Sequence, residues 1–176
     1  MPSLIETNTK KLKELHDAIH SNFRLRHQGD SYMEAWKEAA RRFHESYDYL
    51  AFPGGLNESM RRLAEHDPVV IETAVKFLEV DPMFFRSGFI KQDLIKHLKK
   101  SALNNDQKER LQQVILARVR ETNTRREFRH YCGLAVVVND DSFEEEIKKL
   151  AGPSGIKPKH AQWVLHRLQQ AHAKKR

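Results

Sequence analysis

Apolar residues recur at three- and four-residue intervals through most of the chain, the spacing that lines up side chains along one face of an α-helix. Leu12, Leu15, Ile19 and Phe23 form the first such stripe and predict a helix running to about Arg26, where HQGD breaks it. Ser31 followed by Glu34 has the spacing of a capping box, in which hydroxyl and carboxylate each satisfy a free N–H at a helix start. Trp36, Ala40, Phe43, Tyr47 and Leu50 make the second stripe. AFPGGL ends that helix, because Pro53 has no N–H to donate and Gly54 and Gly55 admit non-helical angles. Residues 1–52 therefore read as a helical hairpin.

Beyond this break the punctuation is more even. Asp67 with Pro68, Ser87, Asn105, Thr124 and Asp141 are each an N-cap candidate before an amphipathic run, and Thr124 and Asp141 add capping-box partners in Glu127 and Glu144. These starts are 20, 18, 19 and 17 residues apart, and every second start recurs after 38, 37 and 36 residues. A fixed period of this size is the mark of stacked helical repeats. Asp81-Pro82 falls off the rhythm; it closes the helix of Val69 to Val80 and opens a turn through Phe84 and Phe85. LAVVVND, with three consecutive valines, favours a strand locally, but a helix from Thr124 to Val138 would bury those side chains against its neighbours.

On spacing and capping, residues 57–151 resemble HEAT-like or armadillo-like helical repeats. The resemblance implies antiparallel helix pairs stacked side by side into a curved slab; an irregular helical bundle fits the same periodicity. Both architectures are all-α, with no β-sheet. The organisation expected is one helical domain over residues 1–176: the hairpin at 1–52, repeat-like pairs at 57–151 and a basic helix at 157–176.

Alternation between two layers turns the charge pattern into a surface. In the layer holding residues 87–100 and 124–138, Lys91, Lys96, Lys99, Lys100, Arg125, Arg126 and Arg129 face only Asp93 and Glu127, a net of +5. The companion layer, residues 67–80, 105–121 and 141–151, carries −3. From Ile147 to Arg176 there are eight Lys or Arg residues and no acid, so a helix starting near Pro158 adds to the basic side. Its apolar positions, Ala161, Val164, Leu165 and Leu168, leave Trp163 and Arg167 at the edge of the stripe, where tryptophan can stack on a base or pack against a neighbouring helix. Lys159 belongs to the same face. Arg86, before Ser87 and Gly88 at a helix start, is a further anion-binding candidate. Arg86, Lys91, Lys99, Arg125, Arg129, Lys159, Trp163 and Arg167 are thus the expected contacts.

Overall charge agrees without deciding the partner. The chain has 31 Lys and Arg against 24 Asp and Glu, a net +7, which suits an acidic protein or nucleic acid and equally suits plain solubility. Cys132 is the single cysteine, which excludes an intrachain disulfide and a cysteine-rich zinc module and fits a cytoplasmic setting. No segment has the length of a membrane span, and no membrane partner is expected.

Catalytic readings find little purchase. His16 and His20, four residues apart, could point two imidazoles at one ion with Glu14, Asp17 or His44, but no second motif supplies the remaining ligands. Asp140, Asp141, Glu144, Glu145 and Glu146 crowd a predicted first turn, where acids stabilise the helix dipole without a metal. Nucleophile elbow, dinucleotide glycines and phosphate loop are all absent. No cofactor or metal is expected, and nothing specifies an oligomeric state. The pattern favours a non-catalytic binding or adaptor protein that meets an acidic protein surface or other polyanion through its basic layer. A nucleic-acid binder is the alternative, with a helical-repeat enzyme acting on nucleic acid behind it.

Overall fold

The computed structural model describes residues 2–121, 123–152 and 158–174, and among these the secondary structure is helical throughout, with no strand. The chain divides into two compact units, one comprising residues up to Thr73 with Val80–Ser87, the other Ala74–Glu79 with the described residues from Gly88 onward. Lys157, Lys175 and Arg176, all counted in the basic C-terminal segment, lie outside the described residues.

In the first unit α1 (Leu4–Leu25) packs along α2 (Asp30–Ala51), and α3 (Leu56–Ala64) follows against α2. His16 lies 5.6 Å from Phe43, and Phe23 lies 5.9 Å from Trp36, so the two long helices run antiparallel. Leu12, Phe43, Phe52 and Leu63 are almost fully buried, whereas Phe23, near the hairpin's turn, stays 43% exposed. α1 begins with a capping box at Ser3 and Glu6. The start of α2 corrects the sequence reading: Gly29, at φ 153°, is the N-cap, and no side chain caps it. Glu34, expected in a capping box with Ser31, instead pairs with Lys37 at 2.8 Å.

α4 (Pro68–Val80) starts at Asp67, whose carboxylate accepts from the Val69 and Val70 N–H groups. It stops as expected before Pro82, with Asp81 at φ 51°. The second unit is built on α5 (Ser87–Leu98), α6 (Asn105–Val119), α7 (Phe128–Val138), α8 (Asp141–Ala151) and α9 (Pro158–Ala173). Within it α7 packs against both α6 and α9, and α8 against α9. Leu94, Leu98, Leu111, Ile115, Leu134, Ile147, Val164 and Leu168 are at most 2% exposed and form its core.

The valine run is helical, with Leu134, Ala135 and Val138 buried, so packing prevails over local strand preference. Caps shift by one residue: Asn104 with Gln107 boxes α6, and Asp140 caps α8 by accepting from the Phe143 N–H. At α7 the displacement is larger, since the helix begins at Phe128 rather than Thr124. Both residues expected to cap it are committed elsewhere. Thr124 Oγ1 lies 2.7 Å from His160 Nε2, and the buried Glu127 carboxylate fills the space beside Gly88, where an added Cβ would come within 3.2 Å of it.

Candidate functional site

A residue and the ones three and four positions on lie together on a helix surface, which places Arg129, Cys132, Gly133 and Val136 along one strip of α7. The same spacing puts Trp163, His166, Arg167 and Gln170 along one strip of α9. Because α7 and α9 pack together, the strips meet. Between them lies a cavity of about 530 Å³ lined by Lys99, Arg129, His130, Cys132, Gly133, Trp163, His166 and Arg167. A second cavity of about 300 Å³ shares Lys99, Gly133 and Arg167 and continues past Gln170 to Lys174. The two form one groove along α7 and α9.

Small residues make the groove possible. Gly133 carries no side chain, and Lys99, just beyond the end of α5, lays its chain over that spot: a Cβ at Gly133 would sit 3.3 Å from Lys99 Nζ. Trp163, 38% exposed, is held from behind by Phe128 at 6.0 Å and His160 at 5.8 Å. His160 is itself nearly buried and engaged by Thr124, so the ring sits on a fixed support. Lys159 Nζ stands 5.2 Å from the Trp163 ring centroid, within cation–π range.

The groove's electrostatics are one-sided. No acid lines either cavity, and among the described residues Lys99, Arg129 and Arg167 have no carboxylate partner; Arg167 donates only to the Gln170 side-chain oxygen. Residues 153–157, 175 and 176 contain no Asp or Glu. Burial, reinforced by Lys96 and Lys99, lowers the His130 pKa below its ordinary value; Asp93 and Glu127 oppose this more weakly. Burial also pushes the Cys132 thiol up to about 11, so at neutral pH it is a protonated, poorly nucleophilic wall of the cavity.

Four of the eight expected contacts, Lys99, Arg129, Trp163 and Arg167, therefore converge on the groove, and Lys159 adjoins it through Trp163. The other three do not join them. Lys91, expected to point outward, is fully buried, because it falls on the face of α5 that packs into the unit; it is engaged there and presents no charge to solvent. Arg125 is ion-paired with Glu121 at 2.8 Å. Arg86, exposed at φ 66°, belongs to the first unit, with its guanidinium carbon 5.5 Å from the Phe85 ring centroid. Ser87 beside it is buried and accepts from the Phe84 N–H.

His130, Gly133 and His166 escaped the sequence reading, although Gly133 follows from stepping four residues on from Arg129 and His166 from stepping three on from Trp163; His130, adjacent to Arg129, does not follow in this way. In the first unit, His16 and His20 have ring centroids 4.6 Å apart, and His16 stacks on Phe85 at 5.0 Å. Among the described residues no group of three His, Cys, Asp or Glu is placed to hold a metal ion, and no helix is long and apolar enough to cross a membrane. Compared with known proteins, the chain matches no family model, no curated protein and no solved structure.

Proposed function

We propose that the protein is a non-catalytic helical binding module whose ligand is a polyanion, held in the groove between α7 and α9. The observation that supports this best is a recess with three basic side chains, Lys99, Arg129 and Arg167, and no acid in its lining. Unneutralised cations brought together raise the local potential, attract extended anions and release counterions when those anions bind. Cys132 does not supply a competing nucleophile, since burial keeps the thiol protonated.

Retention on immobilised heparin, a sulfated polyanion without bases, tests the reading. Wild type should be retained at about 50 mM salt. Arg129→Glu combined with Arg167→Glu should elute much earlier, with an unchanged helical circular-dichroism spectrum because both side chains are exposed. Co-elution of variant and wild type would remove the groove as the binding surface.

A further inference from the structure

We infer that the groove takes a single strand of nucleic acid, with one base laid on Trp163 and the adjoining phosphates held by Arg129, Arg167 and Lys99. This rests on the polyanion reading and names its ligand.

The first support is the pairing of an open indole with free cations inside one recess. An acidic peptide needs only the cations, because a carboxylate draws nothing specific from an aromatic face. A nucleotide uses both, since every base has a π-face and every linkage a phosphate. Trp163 is suited to stacking because Phe128 and His160 fix its ring while leaving 38% of the residue open. Lys159 Nζ lies over the ring, 5.2 Å from its centroid, so a base stacking on that face displaces the ammonium, which is then free to meet the phosphate of the stacked nucleotide.

Size separates the remaining nucleic-acid forms. About 530 Å³ is the volume of a small-molecule site, which has room for one splayed nucleotide, whereas a duplex, whose bases are stacked on each other and turned inward, has no base to place in it. The recess does not close behind that nucleotide. Its continuation along Gln170, Ala171 and Lys174 gives the chain a path onward, with Lys99, Gly133 and Arg167 bordering both compartments. A strand, rather than a lone mononucleotide, uses the whole of it. Val136 and Val137 give this compartment an apolar wall on α7, and Lys174 supplies a further cation at the far end.

The test compares ligands on one set of proteins. A fluorescent single-stranded oligonucleotide of about 12 residues, a duplex of the same sequence, a mononucleotide and heparin are titrated against wild type, Trp163→Ala, Trp163→Phe and the Arg129→Glu/Arg167→Glu pair. Wild type should prefer the single strand to the duplex and bind the mononucleotide far more weakly. Trp163→Ala should weaken the single strand by about tenfold while shifting heparin by less than about twofold. Trp163→Phe should keep most of the affinity but lose the quenching of tryptophan emission on binding, because the remaining Trp36 lies on α2 of the other unit. That readout holds even if the alanine variant is poorly folded. Equal losses for single strand and heparin in Trp163→Ala, unchanged quenching in Trp163→Phe, or a duplex bound as tightly as the single strand would each overturn the inference. A mononucleotide as tight as the strand would overturn its extended form. If heparin is retained and the arginine pair abolishes retention, the polyanion reading survives any of these results; if neither heparin nor oligonucleotide binds, both fall.

Discussion

Arg41 on α2 and Arg61 on α3 of the first unit and Arg129 on α7 and Arg167 on α9 of the second have the same chemistry and opposite circumstances. Arg41 is held by Glu38 and Glu45, each at 2.6 Å, and Arg61 by Glu58 and Glu65, also at 2.6 Å. Hydrogen bonds from these guanidinium groups keep the Glu38 and Glu58 carboxyls below the usual carboxylate range. Arg129 and Arg167 have no such partners, because neither α7 nor α9 contains an Asp or Glu. An arginine with carboxylates three and four residues away is neutralised within its own helix; one without them keeps its field for whatever approaches. The difference is made by where the acids are, not by how many bases there are.

The comparison breaks most visibly under charge reversal. Arg41→Glu with Arg61→Glu changes net charge by the same amount as Arg129→Glu with Arg167→Glu, so a protein that binds through net charge loses equally from both. Binding through the groove predicts that the second pair costs about tenfold or more in affinity for a single strand while the first leaves it nearly unchanged. Salt dependence sharpens the point. Five phosphate contacts, at Lys99, Arg129, Lys159, Arg167 and Lys174, give a slope of about −3.5 in log affinity against log salt, and removing the two arginines should bring it to about −2. Equal slopes in the two double variants would mean that the groove has no special standing.

Helix existence was legible in the sequence because it depends on periodicity, which a single chain displays in full. Caps were less so. Asn104 and Asp140 sit one residue before the positions that spacing favoured, and Thr124 and Glu127 failed as a capping box because His160 and the space beside Gly88 claim them. The site was half legible for the same reason. Lys91 counts as a cation in any charge tally, yet only packing reveals that it is buried. The absence of acids from residues 128–138 and 147–176 could be read directly, although residues 147–149 lie on α8 and take up Glu144 and Glu145 through Lys148. That α7 and α9 are neighbours could not, since it is set by helices distant in sequence.

A smaller effect concerns the floor of the groove. At Gly133 an alanine methyl would meet only the far end of the Lys99 side chain, at 3.3 Å, and a lysine can give way. Removing glycine from the middle of a helix then raises stability, by up to about 0.5–1 kcal/mol. The same methyl obliges the Lys99 ammonium to shift within the groove. Gly133→Ala is therefore expected to melt at a higher temperature and to bind a polyanion a few times more weakly, about threefold for one weakened contact near the surface. A variant that is more stable and binds equally well would show that Lys99 is not in contact with the ligand; no counterpart on α2 or α3 should couple the two properties.

The smallest expected signal is the titration of His130, and it reports on the groove's field directly. Burial is the main cause of its lowered pKa, with Lys96 and Lys99 next and Asp93 and Glu127 opposing, while Arg129, His166 and Arg167 line the same cavity. Since the unfolded chain takes up this proton more readily than the folded one, the neutral ring supports folding fully above the ordinary value of 6.5, and that support is lost as pH falls through the lowered folded value. A polyanion in the groove reverses the balance by placing negative charge against the same ring. Followed by the ring-proton resonance of His130, the midpoint should lie below that of an exposed histidine in the free protein and move upward when heparin or an oligonucleotide is added. Linkage then requires polyanion affinity to rise as pH falls through the free-state midpoint, and His130→Gln should flatten that part of the dependence. If the His130 midpoint stays where it was at saturating polyanion, while affinity is high, the ligand lies elsewhere, and the unpaired arginines of α7 and α9 are only a solvated surface.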